Sequence, residues 1–112
     1  MGEELLTREE FKKQVFAKTH GKCCYPGCGW DAVDAHHIMD RKLWSNGGYY
    51  LSNGAALCSP HHYMAEKSII TPKECYLFMG VEHPLKPDTF SGMTQEEFEY
   101  FVDNDMINKW GK

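Results

Sequence analysis

The sequence lacks any apolar run of membrane-spanning length, and it contains no internal repeat and no low-complexity tract. Its first residues, MGEELLTREEF, have no apolar segment after a basic start, unlike a secretory signal. The sixth position also lacks the Ser or Thr of an N-myristoylation signal. Basic residues are few, and the net charge of −4 argues against many phosphate contacts. We therefore expect a cytoplasmic protein without a membrane partner, folded as one domain over residues 1–112.

Five cysteines are present, and their distribution indicates metal binding rather than disulfide bonding. Stable disulfides are rare in the cytoplasm, and an odd number of cysteines does not pair completely. Several of them cluster in the segment KCCYPGC, as metal ligands do. A bound metal would also stabilise a domain of this size, whose hydrophobic core is modest.

Three segments carry the capping-box signature of a helix start, in which Thr is followed three residues later by Glu. These segments are Thr7–Glu10, Thr71–Glu74 and Thr94–Glu97. The spacing of apolar residues predicts helices over about residues 7–18 and 94–104. The middle segment predicts a third helix, because a proline follows its threonine at the first helical position.

A fourth helix is predicted at SPHHYMAEK, where Ser59 is a candidate N-cap and Pro60 the first helical residue. His61 and His62 then lie in its first turn. The preceding section is rich in Gly, Asn and Pro, which favours short strands and loops. That section and the start of the fourth helix together contain nearly all the chemically reactive residues.

The first candidate site is a structural zinc site of the Cys3His type. The turn at Pro-Gly in CCYPGC brings two thiolates together, and Cys58 and His61 are spaced to meet one ion from a loop and a first helical turn. Zinc binds such a set tetrahedrally and without an open position. The ligands are Cys28, Cys58, His61 and either Cys23 or Cys24, because these two cysteines are neighbours.

The second candidate site uses the remaining histidines. On a helix, His62 and Glu66 share one face, while His61 points elsewhere by roughly 100°. If the strand ending at DAHHI lies against this helix, His36 joins His62 and Glu66 around a second metal with open positions. His37 is then free to act as a general base, since neighbouring residues of a strand point to opposite faces.

A general base needs a hydrogen bond that orients its ring. Asn53, in the turn LSNGAAL between the two histidine pairs, has a side-chain amide that can make this bond. The alternative is a simple turn residue, since Asn before Gly is common in turns.

The ordered set CCYPGC, DAHHI, N and LCSPHH resembles the HNH endonucleases of the zinc-stapled type. The histidine, asparagine and histidine of that name fall on His37, Asn53 and His62. The resemblance covers residues 22–67, and related sequences favour Cys23 over Cys24 as the first zinc ligand. Members of the family hydrolyse DNA phosphodiester bonds, typically leaving a 5′-phosphate and a 3′-hydroxyl.

The resemblance implies an α+β fold built on a small ββα-metal finger, which is treble-clef-like. The finger would occupy residues 22–67, flanked by an N-terminal helix in residues 1–21 and a C-terminal helical extension in residues 68–112. Its cofactors would be structural Zn²⁺ and a catalytic divalent ion, either Mg²⁺, Mn²⁺ or another transition metal. Two positions depart from the family: His61 replaces a common cysteine, and Glu66 stands where some relatives have histidine.

The acidic net charge must be reconciled with a DNA substrate. Much of the acidic excess lies in EELLTREE and TQEEFEYFVDND, whereas Arg41, Lys42 and Lys67 lie near the candidate site and are possible DNA contacts. Bound divalent ions add local positive charge. We expect weak, salt-sensitive DNA binding unless the protein forms a homodimer or has a protein partner.

Two alternative functions are consistent with parts of the sequence. A non-catalytic zinc module that binds nucleic acid or protein needs only the Cys3His set, but it leaves His36, His37, His62 and Asn53 without a role. A metal hydrolase of small phosphoesters or RNA would use the same base and ion. Metal stoichiometry tests the first alternative, and a comparison of substrates tests the second.

Overall fold

The computed structural model describes residues 3–112, which form four α-helices and a two-stranded antiparallel sheet. In chain order these are α1 (Arg8–Lys18), β1 (Asp34–His37), β2 (Gly54–Leu57), α2 (Ser59–Glu66), α3 (Pro72–Phe78) and α4 (Gln95–Asp103). Short 3-10 turns lie at Arg41–Leu43, Leu51–Asn53 and Asp88–Phe90. The predicted α+β class is confirmed. No helix within residues 3–112 is long and apolar enough to cross a membrane.

The helix starts follow the capping signals with one exception. Complete capping boxes begin α1, α3 and α4, with Thr7, Thr71 and Thr94 as the N-caps. The prediction that Ser59 caps α2 is wrong, because Cys58 is the N-cap and Ser59 is the first helical residue. The Cys58 carbonyl accepts the first intrahelical bond, from the His62 amide at 2.8 Å, while its thiol lies beside the helix start.

The sheet separates the two adjacent histidines. His36 pairs with Ala55, and His37 pairs with Gly54. Because side chains alternate along a strand, the two rings point to opposite faces. His36 faces α2, with its ring centroid 5.3 Å from that of His62, whereas His37 stacks on Phe11 of α1 at 4.8 Å.

The close approach of α1 to β2 requires a glycine at position 54. An added Cβ there would clash with the Val15 side chain and lie 2.9 Å from Cζ of Phe11. The φ angle of Gly54 is −118°, which any residue adopts, so the constraint is one of space. Both α1 side chains are fully buried and have little freedom to move away.

Gly54→Ala is therefore expected to destabilise the protein by about 1–3 kcal/mol, the usual cost of overpacking a core. Urea denaturation followed by circular dichroism would measure this change. Gly92→Ala is the matched control, because an added Cβ at Gly92 meets nothing within 4 Å. Equal stabilities for the two variants would show that α1 moves away from β2 at little cost.

One buried cluster joins all parts of the chain. It combines α1, the strands, α2, α3 and α4 through apolar side chains that include Phe11, Ile38, Leu57, Cys75 and Phe98. Cys75 is fully buried there, in agreement with its absence from the predicted metal sets. The C-terminal segment after α4 returns to the sheet, where the Lys109 carbonyl accepts a hydrogen bond from the Asp40 amide at 2.8 Å. This contact places Lys109 beside the end of β1.

Candidate metal centre and adjoining cleft

Cys23, Cys28, Cys58 and His61 form a compact group that could hold a metal ion. Nδ1 of His61 lies 3.2 Å from Sγ of Cys58 and 3.4 Å from Sγ of Cys23, and the Cys28 and Cys58 sulfurs are 3.9 Å apart. Tetrahedral zinc, with bonds of about 2.3 Å to sulfur and 2.0–2.1 Å to nitrogen, places its ligand atoms roughly 3.5–3.8 Å apart. The group therefore fits a closed zinc site.

Cys24 lies outside this group, although it is adjacent to Cys23. It packs against the core, its amide donates to the Ala56 carbonyl at 2.8 Å, and burial raises the pKa of its thiol to about 12. Burial also raises the pKa of Cys23, to about 11, whereas a hydrogen bond from the Trp30 backbone lowers that of Cys28. A metal ion would offset the cost of ionising Cys23, because it stabilises the thiolate directly.

His36, His62 and Glu66 form a second group whose ligand atoms could hold a metal ion. Oε1 of Glu66 lies 3.3 Å from Nδ1 of His36 and 3.4 Å from Nε2 of His62. The Nδ1 atom of His36 is buried and has no aligned hydrogen-bond partner within residues 3–112. A buried ring nitrogen left in this state is suited to bind a metal, and three ligands leave coordination positions open.

Asp34 supports this second group, although the sequence interpretation did not include it. Its Oδ2 lies 3.4 Å from Nδ1 of His62, on the side of the ring away from Glu66. A carboxylate in this position favours the tautomer that leaves Nε2 free for a metal. The available signal was strand alternation, since Asp34 and His36 are two residues apart on β1 and share a face.

The sequence interpretation also did not include Lys109 and Asp40 among the site residues. Lys109 Nζ lies 3.0 Å from Oε1 of Glu66 and 3.5 Å from Oδ1 of Asp40. The His36 ring, and after it the Lys109 ammonium, lower the pKa of Glu66 to about 2, so this carboxylate is ionised at neutral pH. Nothing in the local sequence places Lys109 here, because only the return of the C-terminal segment brings it to the sheet.

His37 is held between two aromatic rings, with the Phe11 and Tyr49 centroids each 4.8 Å from its own. Burial, and after it the charge of Arg41, lower the pKa of His37 to about 4, which keeps the ring neutral at physiological pH. Its Nε2 is buried without a hydrogen-bond partner among residues 3–112. Nδ1 is not among these buried, unpartnered atoms, which makes it the candidate nitrogen for chemistry in the cleft.

Asn53 does not make the expected bond to His37 within the described chain. Its buried amide instead joins the two ends of the loop between the strands: Oδ1 accepts from the Met39 amide at 2.9 Å, and Nδ2 donates to the carbonyls of Met39 and Gly48. The prediction of a direct hydrogen bond to the His37 ring is therefore wrong. The Asn53 amide makes its hydrogen bonds to backbone groups of the loop, so it can affect the position of His37 only by holding that loop in place.

A cleft of about 440 Å³ adjoins the second group. Both His36 and His37 line it, together with His62, Glu66 and Lys109. The two histidines leave β1 on opposite faces but line the same cleft, whose lining includes all four residues of the strand. The cleft therefore combines a candidate metal group with a neutral histidine that is outside that group.

The basic residues at the cleft differ from those expected. Arg41 lines it and donates a hydrogen bond to the Tyr49 hydroxyl at 3.4 Å. Lys42 and Lys67 are exposed and do not line the cleft, although each follows a residue that does, and their contact with DNA stays a prediction. Arg8 and Lys12 of α1 line the cleft instead, since packing of α1 on His37 brings one face of the helix to its rim.

The chain matches no family model, no curated protein and no solved structure. The geometry of the two candidate metal groups and of the cleft is therefore the basis for a proposed function.

Proposed function

We propose that this protein is a metal-dependent endonuclease of the HNH type that hydrolyses DNA phosphodiester bonds. In this proposal β1, β2 and α2 are the ββα-metal finger, and zinc in the Cys3His group joins the KCCYPGC turn to the start of α2. The observation that carries the proposal is the separation of His37 from His36. His36 belongs to a group of three side chains that could hold a metal ion, while His37 lines the same cleft outside that group.

A divalent ion held by His36, His62 and Glu66 would stabilise negative charge on the scissile phosphate and on the departing 3′-oxygen. The neutral ring of His37 accepts a proton at Nδ1 from the attacking water, whose oxygen then bonds to phosphorus. The bond between phosphorus and the 3′-oxygen breaks, and this oxygen takes a proton from a water molecule in the cleft. The products are a 5′-phosphate and a 3′-hydroxyl, and His37 then releases its proton to solvent.

Other residues, in the cleft and in the loop beside it, would orient the substrate and the reacting side chains. Arg41, Arg8 and Lys12 supply positive charge for the phosphates that flank the scissile bond. Asn53 fixes the loop that follows His37, and so fixes the path of the chain beside the cleft. Asp34 keeps the His62 ring in the orientation that a metal requires.

Substrate preference is the direct test of this proposal. Zinc-loaded protein is expected to nick supercoiled plasmid in the presence of Mg²⁺ or Mn²⁺ and to leave ends that a ligase can rejoin. RNA and bis(p-nitrophenyl) phosphate are expected to react more slowly, because they lack the DNA backbone geometry that the basic rim would contact. A preference for the small ester would indicate a general phosphodiesterase.

Metal content separates the enzyme from a non-catalytic zinc module. We expect one tightly held zinc and one weaker divalent ion for each chain, measured by elemental analysis and by calorimetric titration. A single zinc with no second binding event would favour the module. The expected loss of DNA affinity with added salt is shared by both functions and does not distinguish them.

A further inference from the structure

Lys109 is the one buried lysine or arginine among residues 3–112, with a side chain only 4% exposed. Burying an ammonium is costly unless it is paired, and Lys109 is paired with Glu66 at 3.0 Å. The partner atom is Oε1 of Glu66, the same oxygen that faces His36 and His62. The lysine therefore forms an ion pair with an oxygen that is also a candidate metal ligand.

A divalent ion and the Lys109 ammonium would compete for this oxygen. An ion bound to Oε1 at about 2.1 Å would lie at most roughly 5 Å from an ammonium that stays 3.0 Å from the same atom. Two cations at this distance repel each other strongly when they are shielded from water. This repulsion must therefore either lower the affinity for the ion or displace the lysine ammonium from Glu66.

Asp40 is placed to receive the displaced ammonium. Its Oδ1 lies 3.5 Å from Nζ of Lys109, and its amide donates to the Lys109 carbonyl, which keeps the two residues together. Its other oxygen, Oδ2, accepts from the Lys42 amide at 3.0 Å and holds the carboxylate in position. A small movement of Nζ would exchange Glu66 for Asp40 without leaving the lysine unpaired.

We propose that Lys109 is an internal counter-cation of the second metal group, which neutralises Glu66 in the ion-free protein and shifts to Asp40 when a divalent ion binds. This inference rests on the metal group of the proposed nuclease, although it does not depend on the reaction performed there. The lysine lowers the intrinsic affinity for the ion, and Asp40 limits that loss. Lys109 is thus a positioning residue that regulates metal occupancy.

Calorimetric titration of zinc-loaded protein with Mn²⁺ tests this assignment. Lys109→Met is expected to tighten Mn²⁺ binding by roughly tenfold or more, because it removes the competing charge and keeps an apolar side chain of similar length. Lys112→Met is the matched control, since it removes an exposed lysine from the same segment. Its dissociation constant should stay within about twofold of the wild-type value.

Asp40→Asn is an independent test, for which the expected change in Mn²⁺ affinity has the opposite direction. The Asn side chain can still accept the hydrogen bond from the Lys42 amide. The substitution should weaken Mn²⁺ binding while Lys109 is present, and its effect should largely disappear in the Lys109→Met background. Removing an attractive carboxylate alone would weaken binding equally in both backgrounds, so this double-mutant cycle isolates the role of the lysine.

Unchanged or weaker Mn²⁺ binding by a folded Lys109→Met protein would overturn the inference. If that variant fails to fold, tighter or unchanged binding by Asp40→Asn would overturn it instead. If the variants show the predicted shifts in Mn²⁺ affinity but wild-type protein cuts no DNA, the nuclease proposal alone is removed. Wild-type protein that cuts DNA, with Lys109→Met unchanged in Mn²⁺ affinity, would remove this inference alone.

Discussion

Replacing His37 with alanine is expected to lower DNA cleavage by roughly 10²- to 10⁴-fold, the usual range for the loss of a general base. The ring contacts Phe11 and Tyr49 rather than either metal group, so both metals should remain bound. Plasmid nicking across a Mn²⁺ titration would measure the loss, and added metal should not restore the rate. The melting temperature checks that removal of the buried ring has not unfolded the protein.

His36→Ala is the matched comparison, because the two residues are adjacent but lie on opposite faces of β1. This change removes a metal ligand, so ion affinity should fall and part of the lost activity should return at high Mg²⁺ or Mn²⁺. Calorimetry on both variants separates the two roles. Wild-type cutting by His37→Ala, or equal loss of metal by both variants, would show that the division into ligand and base is wrong.

Cys58→Ala is expected to lose zinc and the folded state together. Structural zinc contributes about 10–16 kcal/mol of apparent binding energy in small zinc domains. That amount matches or exceeds the total stability of about 5–15 kcal/mol typical of a domain. Cys58 is also the N-cap of α2 and the last residue before that helix, so loss of its metal bond frees the helix start. Zinc analysis and thermal unfolding would follow both losses.

Cys24→Ala is the control for this prediction. Cys24 adjoins Cys23 but lies outside the metal group, so its removal should leave zinc content at one per chain, with only the modest destabilisation of a truncated core residue. Cys23→Ala should resemble Cys58→Ala. Zinc loss from Cys24→Ala and not from Cys23→Ala would reverse the assignment of the first ligand. Normal melting of zinc-free Cys58→Ala would remove the structural role.

The parts of the structure that follow local rules were predictable from the sequence. Thr7, Thr71 and Thr94 begin helices because each capping box satisfies backbone amides within a single turn. Parts of the two candidate metal groups were predictable for a similar reason. Cys58 and His61 lie around one helix start, and His62 and Glu66 lie one turn apart on α2, so the spacing of each pair indicates a shared site. The approach of His36 was expected only on the condition that its strand lies against α2.

The features that depend on distant parts of the chain were not predictable. Lys109 enters the cleft only through the path of the chain after α4, and Arg8 and Lys12 reach it only because α1 packs on the sheet. Asn53 was assigned the wrong partner, because residue spacing does not show which backbone groups of a long loop need hydrogen bonds. Burial of such groups is decided by tertiary packing, and the Asn53 amide satisfies three of them.

The start of α2 supplies a side chain to each of the two candidate metal groups, with His61 in one and His62 in the other. If zinc fixes this turn and thereby raises the affinity of the second group, the law of mass action requires the converse. A divalent ion at the second group must then raise the affinity for zinc by the same factor. A chelator should consequently remove zinc less completely from protein that is saturated with Mn²⁺. The two ions would then bind cooperatively, because their ligands His61 and His62 are consecutive residues of the chain.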